Sequence, residues 1–120
     1  MSDLNISFHE PRMIFRPGES LKGRAIWHLD KPARAVELRL IWFTLGQVTS
    51  EAKIIKTLSF SKPLQDEARD FEFLLPQGPY SYAGTYTVLN WGLEMVVLPS
   101  KEHKLRTFEL SPSDAGALLL

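Results

Sequence analysis

Few side chains in this sequence have the type and spacing to do chemistry. The chain has no cysteine, so a transition-metal site would have to come from histidine and carboxylate alone. His9 and Glu10 are adjacent, and His28 and His103 lie far along the chain. No His-x-His or His-x-x-x-His spacing puts two imidazoles on one face, so solvated or edge histidines are favoured. Glu19, beside Gly18, could act as a general base only in a cleft that raised its pKa. A turn carboxylate accepting backbone N–H groups is the simpler reading. Ser81 sits in Tyr80-Ser81-Tyr82, not in a Gly-x-Ser-x-Gly elbow, and no spaced histidine and acid accompany it. Gly78 and Gly84 do not open a helix after a strand, so they form no phosphate cradle. These residues imply no catalytic group, no metal and no cofactor, and the chain is expected not to be an enzyme.

The elements that position these residues are strands. Among 120 residues, 44% are apolar, enough for one domain with a core of its own. Alternation is explicit in the stretch from Leu21: Leu21, Gly23, Ala25, Trp27 and Leu29 alternate with Lys22, Arg24, Ile26 and His28. Val36, Leu38, Leu40 and Trp42 alternate with Glu37, Arg39, Ile41 and Phe43, and Phe71, Phe73 and Leu75 with Glu72 and Leu74. A period of two marks half-buried strands of antiparallel sheets. From Gly84 to Leu98 one face carries Leu89, Trp91, Leu93, Met95 and Val97. That run exceeds a usual strand, so a bulge or break is expected near Asn90 or Gly92. Weaker strands are predicted over Leu4 to Phe8, Arg12 to Phe15, Ala52 to Ser61 and Lys104 to Leu110. Turn signals such as Arg16-Pro17-Gly18, Lys62-Pro63 and Pro76-Gln77-Gly78-Pro79 separate them. The expected fold is all-β, an antiparallel β-sandwich of about eight strands, immunoglobulin-like or arrestin-like. Its lobe would span 1–112, with a tail over 113–120. Ser113 and Asp114 could cap a short helical turn there, and Leu118, Leu119 and Leu120 could dock on the sandwich, pair with a second copy, or fray.

Two segments carry a resemblance to the arrestin family, in particular to the N-terminal one of its two β-sandwich lobes. Phe15-Arg16-Pro17-Gly18-Glu19-Ser20-Leu21-Lys22-Gly23 resembles the family's aromatic-x-Pro-Gly-Glu-x-apolar-x-Gly opening. Phe71-Glu72-Phe73-Leu74-Leu75-Pro76, followed by Pro79-Tyr80-Ser81-Tyr82-Ala83-Gly84, resembles its second pattern. The resemblance spans about residues 4 to 110 and covers one lobe where arrestins have two. The phosphate-sensitive charge cluster between arrestin lobes therefore does not carry over. Small single-lobe microbial members and the sporulation-control and retromer-type proteins are the nearer comparison. The resemblance implies a non-catalytic scaffold or adaptor module.

Residue chemistry agrees with the turn assignments. Pro17 presets the first central position of a type II turn and Gly18 tolerates positive φ at the second. Gly23 inside a strand implies a bulge or the close approach of a ring. Pro76 removes a ladder donor and ends its strand. Pro79, Ser81 and Gly84 complete the second corner.

For binding, Lys+Arg and Asp+Glu both number 14. No basic surplus exists to attract nucleic acid, and little self-repulsion opposes a homodimer. No apolar stretch is long enough for an integral membrane segment, and the start of the sequence lacks a secretory pattern, so a cytoplasmic location is expected. The anticipated partner is another protein, taken by β-strand addition at an open edge. Arg16, Phe43, Tyr80 and Tyr82 are the candidate contacts, read as exposed turn and edge positions. Phe43 and Ile41 lie opposite Trp42, so they could form an apolar patch on a less buried face. Lys53, Lys56 and Lys62 read as an edge strand guarded by lysine. A second possibility is a small-ligand or carbohydrate-binding sandwich that uses exposed aromatics such as Trp42 or Trp91.

Overall fold

The computed structural model describes residues 2–46, 50–113 and 118–119. Among them are ten strands and no helix: β1 (Asp3–Phe8), β2 (Ile14–Phe15), β3 (Ser20–His28), β4 (Ala35–Gly46), β5 (Glu51–Ser61), β6 (Asp66–Leu74), β7 (Tyr82–Ala83), β8 (Thr87–Leu98), β9 (His103–Leu110) and β10 (Leu118–Leu119). The eight expected strands are all present, and β7 and β10 are two-residue additions. The Arg12–Phe15 strand shortens to Ile14–Phe15. Two pairings are parallel, β2 with β9 and β10 with β7, so the sandwich is not purely antiparallel. The helical cap expected at Ser113 and Asp114 falls on Asp114, outside the described residues.

A three-stranded sheet, β1-β3-β6, packs on a seven-stranded one. In the larger sheet β5 is an edge, β4 lies between β5 and β8, and the far side of β8 is shared by β7 and β9. The inward faces meet as the alternation requires. Ile6, Leu21, Ala25, Trp27, Phe71 and Phe73 come from the smaller sheet; Leu38, Leu40, Leu89, Trp91, Leu93 and Met95 come from the larger. Each of the large side chains contributes about 1.5–3 kcal/mol through its removal from water. The two buried indole N–H groups are satisfied. Trp27 Nε1 donates to the Leu64 carbonyl at 2.9 Å, and Trp91 Nε1 to the Pro79 carbonyl at 2.7 Å.

An arginine spans each open side of the sandwich. Arg106 of β9 donates to the Ile6 carbonyl of β1 at 2.8 Å, with its guanidinium 4.4 Å from the Phe8 ring centre. Arg69 of β6 lies 5.6 Å from the Phe60 ring of β5 and donates to the Ser61 carbonyl.

The expected break in β8 is absent. β8 pairs with β4 without interruption from Thr87 to Leu98. Gly92 instead makes room for a neighbour, since a Cβ there would lie 2.9 Å from Leu105 Cδ1. The irregularity falls in β5, where the register against β4 shifts between Leu40 and Ile41 and leaves Ile55 unpaired.

Gly23 is a close-approach position in an unbroken ladder, flanked by Phe8 of β1 and Phe71 of β6. A Cβ there would collide with the Ser7 carbonyl oxygen and lie 2.6 Å from Phe71 Cζ. Gly23→Ala should therefore lower Tm by on the order of 10 °C, as expected for 1–3 kcal/mol of overpacking in a domain of this size. A thermal melt superimposable on that of the unaltered protein would refute this account of the site.

Candidate functional site

The two outer faces of the sandwich differ in chemistry. On the smaller sheet, β3 turns Lys22, Arg24 and His28 outward, and each meets an acid on β6: Glu72, Asp70 and Asp66. Arg24 Nε lies 2.9 Å from Asp70 Oδ1, and His28 Nδ1 lies 3.1 Å from Asp66 Oδ1. This face is exposed and carries cross-strand charge pairs around Ile26 and Ala68, with the exposed Leu74 at its end.

The larger sheet turns an apolar surface outward. Because Leu40 and Trp42 point to the core, Ile41, Phe43 and Leu45 point away from it. Across the ladder, Ile41 meets Ile54 of β5 and Gly92 of β8, Phe43 meets Ala52 and Asn90, and Leu45 meets Val88. Leu105 of β9 leans over Gly92 and fills the missing side chain. Ile54 is 53% exposed, Leu45 56% and Leu105 39%. Isolated exposed apolar residues need no explanation, but a contiguous patch marks a surface to be covered. The patch ends at an ion-pair belt, in which Arg39 lies 2.7 Å from Glu37 and 3.9 Å from Glu94.

Phe43 is half-buried on this apolar face, but on β4, an interior strand, not an edge. Tyr80 and Tyr82 are half-buried and pack against the core. The exposure expected of them is only partial, because both rings pack against the core cluster. Arg16 is exposed at the Pro17-Gly18 turn, at the same end as Ser81, because Phe15 pairs with Leu110 and Ser81 bonds that same residue. Phe43, on the outer face, is therefore apart from the other three, which lie at one end of the sandwich. The exposed aromatic at the Tyr corner is Tyr86, with no expectation attached to it. The exposed tryptophans of the ligand-binding reading are not observed. Trp27 and Trp91 are buried and Trp42 is half-buried against the core.

The turn residues are placed as structural groups. Glu19 N–H donates to the Arg16 carbonyl and Gly18 has φ 82°, which defines a type II turn with Pro17 at its first central position. Pro76 follows β6. Pro79, after a cis peptide bond, presents its carbonyl to Trp91. Ser81 is buried and its Oγ accepts the Leu110 N–H at 3.0 Å, a structural bond that ties the corner to β9. Gly84 N–H donates to the Thr87 carbonyl. Among the described residues no group of three His, Asp or Glu side chains could hold a metal ion. No helix there is long and apolar enough to cross a membrane.

Glu19 is held in a strong local cluster. Arg12 Nη2 and Nη1 lie 2.6 and 3.1 Å from its two oxygens, and the Arg16 backbone N–H donates to it at 2.7 Å. Arg12 also stacks 4.3 Å over Phe15. Glu10 Oε2 lies 2.8 Å from Arg12 Nε but off the hydrogen-bonding direction, so that contact is coulombic. The Arg12 hydrogen bonds, then the Arg16 N–H, hold the Glu19 carboxyl below its ordinary range.

No protein-family model matches the chain, and no curated protein sequence matches it. Solved structures do. Spo0M, a sporulation control protein from Bacillus subtilis, aligns with a TM-score of 0.61 at 14% identity, over 92% of this chain and 49% of that one. At that identity the likeness establishes the fold, a β-sandwich of Spo0M type. The chain spans about half the length of Spo0M. A β-glucosidase from Listeria innocua in complex with gluconolactone aligns at TM-score 0.49, 12% identity, over 99% of this chain and 17% of that one. The alkylpurine DNA glycosylase AlkC of Pseudomonas fluorescens aligns at 0.42 and 13%, over 88% and 30%. Likeness at those scores carries no argument.

A pH prediction follows from Glu19. A carboxyl whose folded pKa is depressed contributes stability above its unfolded pKa of about 4.3 and loses it as pH falls through the folded value. Glu67, lowered first by Arg69 and then by the Leu64 N–H, adds to the same trend. Glu19→Gln should lower Tm at neutral pH by a few degrees and flatten the acid-side decline. If the variant and the parent show parallel Tm profiles from pH 6 to pH 3, the Glu19 cluster is not a source of that stability.

Proposed function

We propose that the chain is a non-catalytic protein-interaction module of arrestin-like fold, a scaffold or adaptor that receives another protein on the outer face of its larger sheet. The observation that carries this reading is the contrast between the two outer faces. One sets its charges in cross-strand pairs and exposes, among the described residues, a single large apolar side chain, Leu74, at its end. The other presents Ile54, Leu45, Leu105 and Phe43 to water, a cost that association with an apolar partner surface removes. Of the four candidate contacts, Phe43 belongs to this face, while Arg16, Tyr80 and Tyr82 would serve only a partner that reached the end of the sandwich they share. The working unit in this reading is the lobe over 1–112, with a tail over 113–120 whose Leu118 and Leu119 add to β7, acting in the cytoplasm. The name of Spo0M as a control protein supports a regulatory rather than metabolic task. Self-association through the same face belongs to this reading, since zero net charge offers no bulk repulsion.

The small-ligand alternative loses its footing with the tryptophans. Stacking on a sugar or ring needs an open aromatic plane; Trp91 offers none, and Trp42 is half-buried against the core.

The face is testable by position. A photoreactive benzoylphenylalanine placed at Leu105 should give discrete cross-linked adducts in cells, to a partner or to a second copy. The same group at Arg24, on the charged face, should not. Ile54→Asp should abolish the Leu105 adducts while leaving the thermal melt nearly unchanged. Equal adducts from both faces, or none from Leu105, would overturn the reading.

A further inference from the structure

We propose that β5 is a strand-acceptor edge, and that the segment it accepts alternates acidic and apolar side chains. The inference rests on the interaction-module reading above and assigns the chemistry of the partner. β5 is eleven residues long and pairs along its length with β4. Among the described residues nothing pairs with its other side, so a row of backbone N–H and C=O groups is open to a further strand.

The bulge decides which side chains such a strand would meet. Lys53 and Lys56 are three apart, and in a regular strand they would point to opposite faces. The register shift changes that. Lys56 stands opposite Leu40, and Lys53 opposite Trp42, both on the core-facing side of β4. The two ammonium groups therefore share one face of the edge. Both residues are exposed, so the smaller sheet does not cover this end of β5. Ile54, between them in sequence, stands opposite Ile41 on the other face.

The lysines also lack partners. Arg12, Arg24, Arg39 and Arg69 each contact a carboxylate, whereas neither Lys53 nor Lys56 has an ion pair among the described residues. An added strand would set alternate residues against two unpaired cations and the intervening ones beside Ile54. Carboxylates on the first set and aliphatic groups on the second satisfy both faces. The second set would also extend the apolar surface of Ile54, Ile41 and Leu105 by one strand. The opposing view is that the lysines and the bulge only keep this edge from pairing at all. The two views predict different binding.

The probe is a fluorescein-labelled nine-residue peptide of alternating glutamate and valine, with glutamate at both ends. Controls are the lysine–valine analogue and a glutamate–valine peptide N-methylated at every amide. Fluorescence anisotropy should show saturable binding of the acidic peptide alone, weakening as salt is raised. Lys53→Glu with Lys56→Glu should weaken it about tenfold or more, because two exposed attractions become repulsions. Circular dichroism of that double variant should match the parent, and Lys53→Gln with Lys56→Gln should give an intermediate loss. No saturable binding of the acidic peptide would overturn the inference. So would equal binding of both charge types, or equal binding of the methylated peptide, which cannot add as a strand. The Leu105 cross-links are read separately. Their persistence alongside a failed peptide titration would remove the edge assignment and leave the outer-face reading intact.

Discussion

The buried indole of Trp91 is the contact on which the larger sheet depends. Its ring fills the centre of the sandwich beside Phe108 and opposite Trp42. Its N–H, once removed from water, must find an acceptor or cost about 1–3 kcal/mol. The acceptor is the Pro79 carbonyl, which fixes the 79–84 corner against β8. From that corner Ser81 reaches Leu110 through both its backbone and its hydroxyl, so the end of β9 is held to the same point. One hydrogen bond from a core residue thus organises a turn, a short strand and the return of the chain.

The resulting body has two unlike faces, and the difference arises from how each strand uses its outward positions. β3 and β6 place opposite charges directly across from one another, a stable solvated arrangement. β4 breaks its polar alternation after Arg39 and runs Leu40-Ile41-Trp42-Phe43, so both of its faces become apolar. The Glu37–Arg39–Glu94 belt marks where that change occurs.

Most of the fold was legible because the alternation is strong wherever one face is buried. Leu21 to Leu29 and Leu89 to Val97 could adopt only one orientation without exposing a row of large side chains. The Pro17-Gly18 turn was equally clear, since its geometry demands those two residues. Other features were not readable. Gly92 looks the same in sequence whether it marks a bulge or yields space to Leu105, and only the neighbouring strand distinguishes the two. The bulge at Ile55 had no marker, because β5 carries no glycine or proline there. The exposure expected for Tyr80 and Tyr82 is only partial because a corner that seals a sandwich needs rings for the purpose. Ile41, Phe43 and Leu45 follow from alternation along β4, but Ile54, Leu105 and Val88 join that face through long-range pairing that local spacing cannot show.

The two arginines at the open sides of the sandwich have a mechanical consequence. Arg106 ties β9 to β1 on one flank, and Arg69 ties β6 to β5 on the other. With one tether on each flank, the sheets resist sliding past each other as well as parting. A pull delivered along β5 would reach β6 through Arg69, and β3 through the β3–β6 ladder.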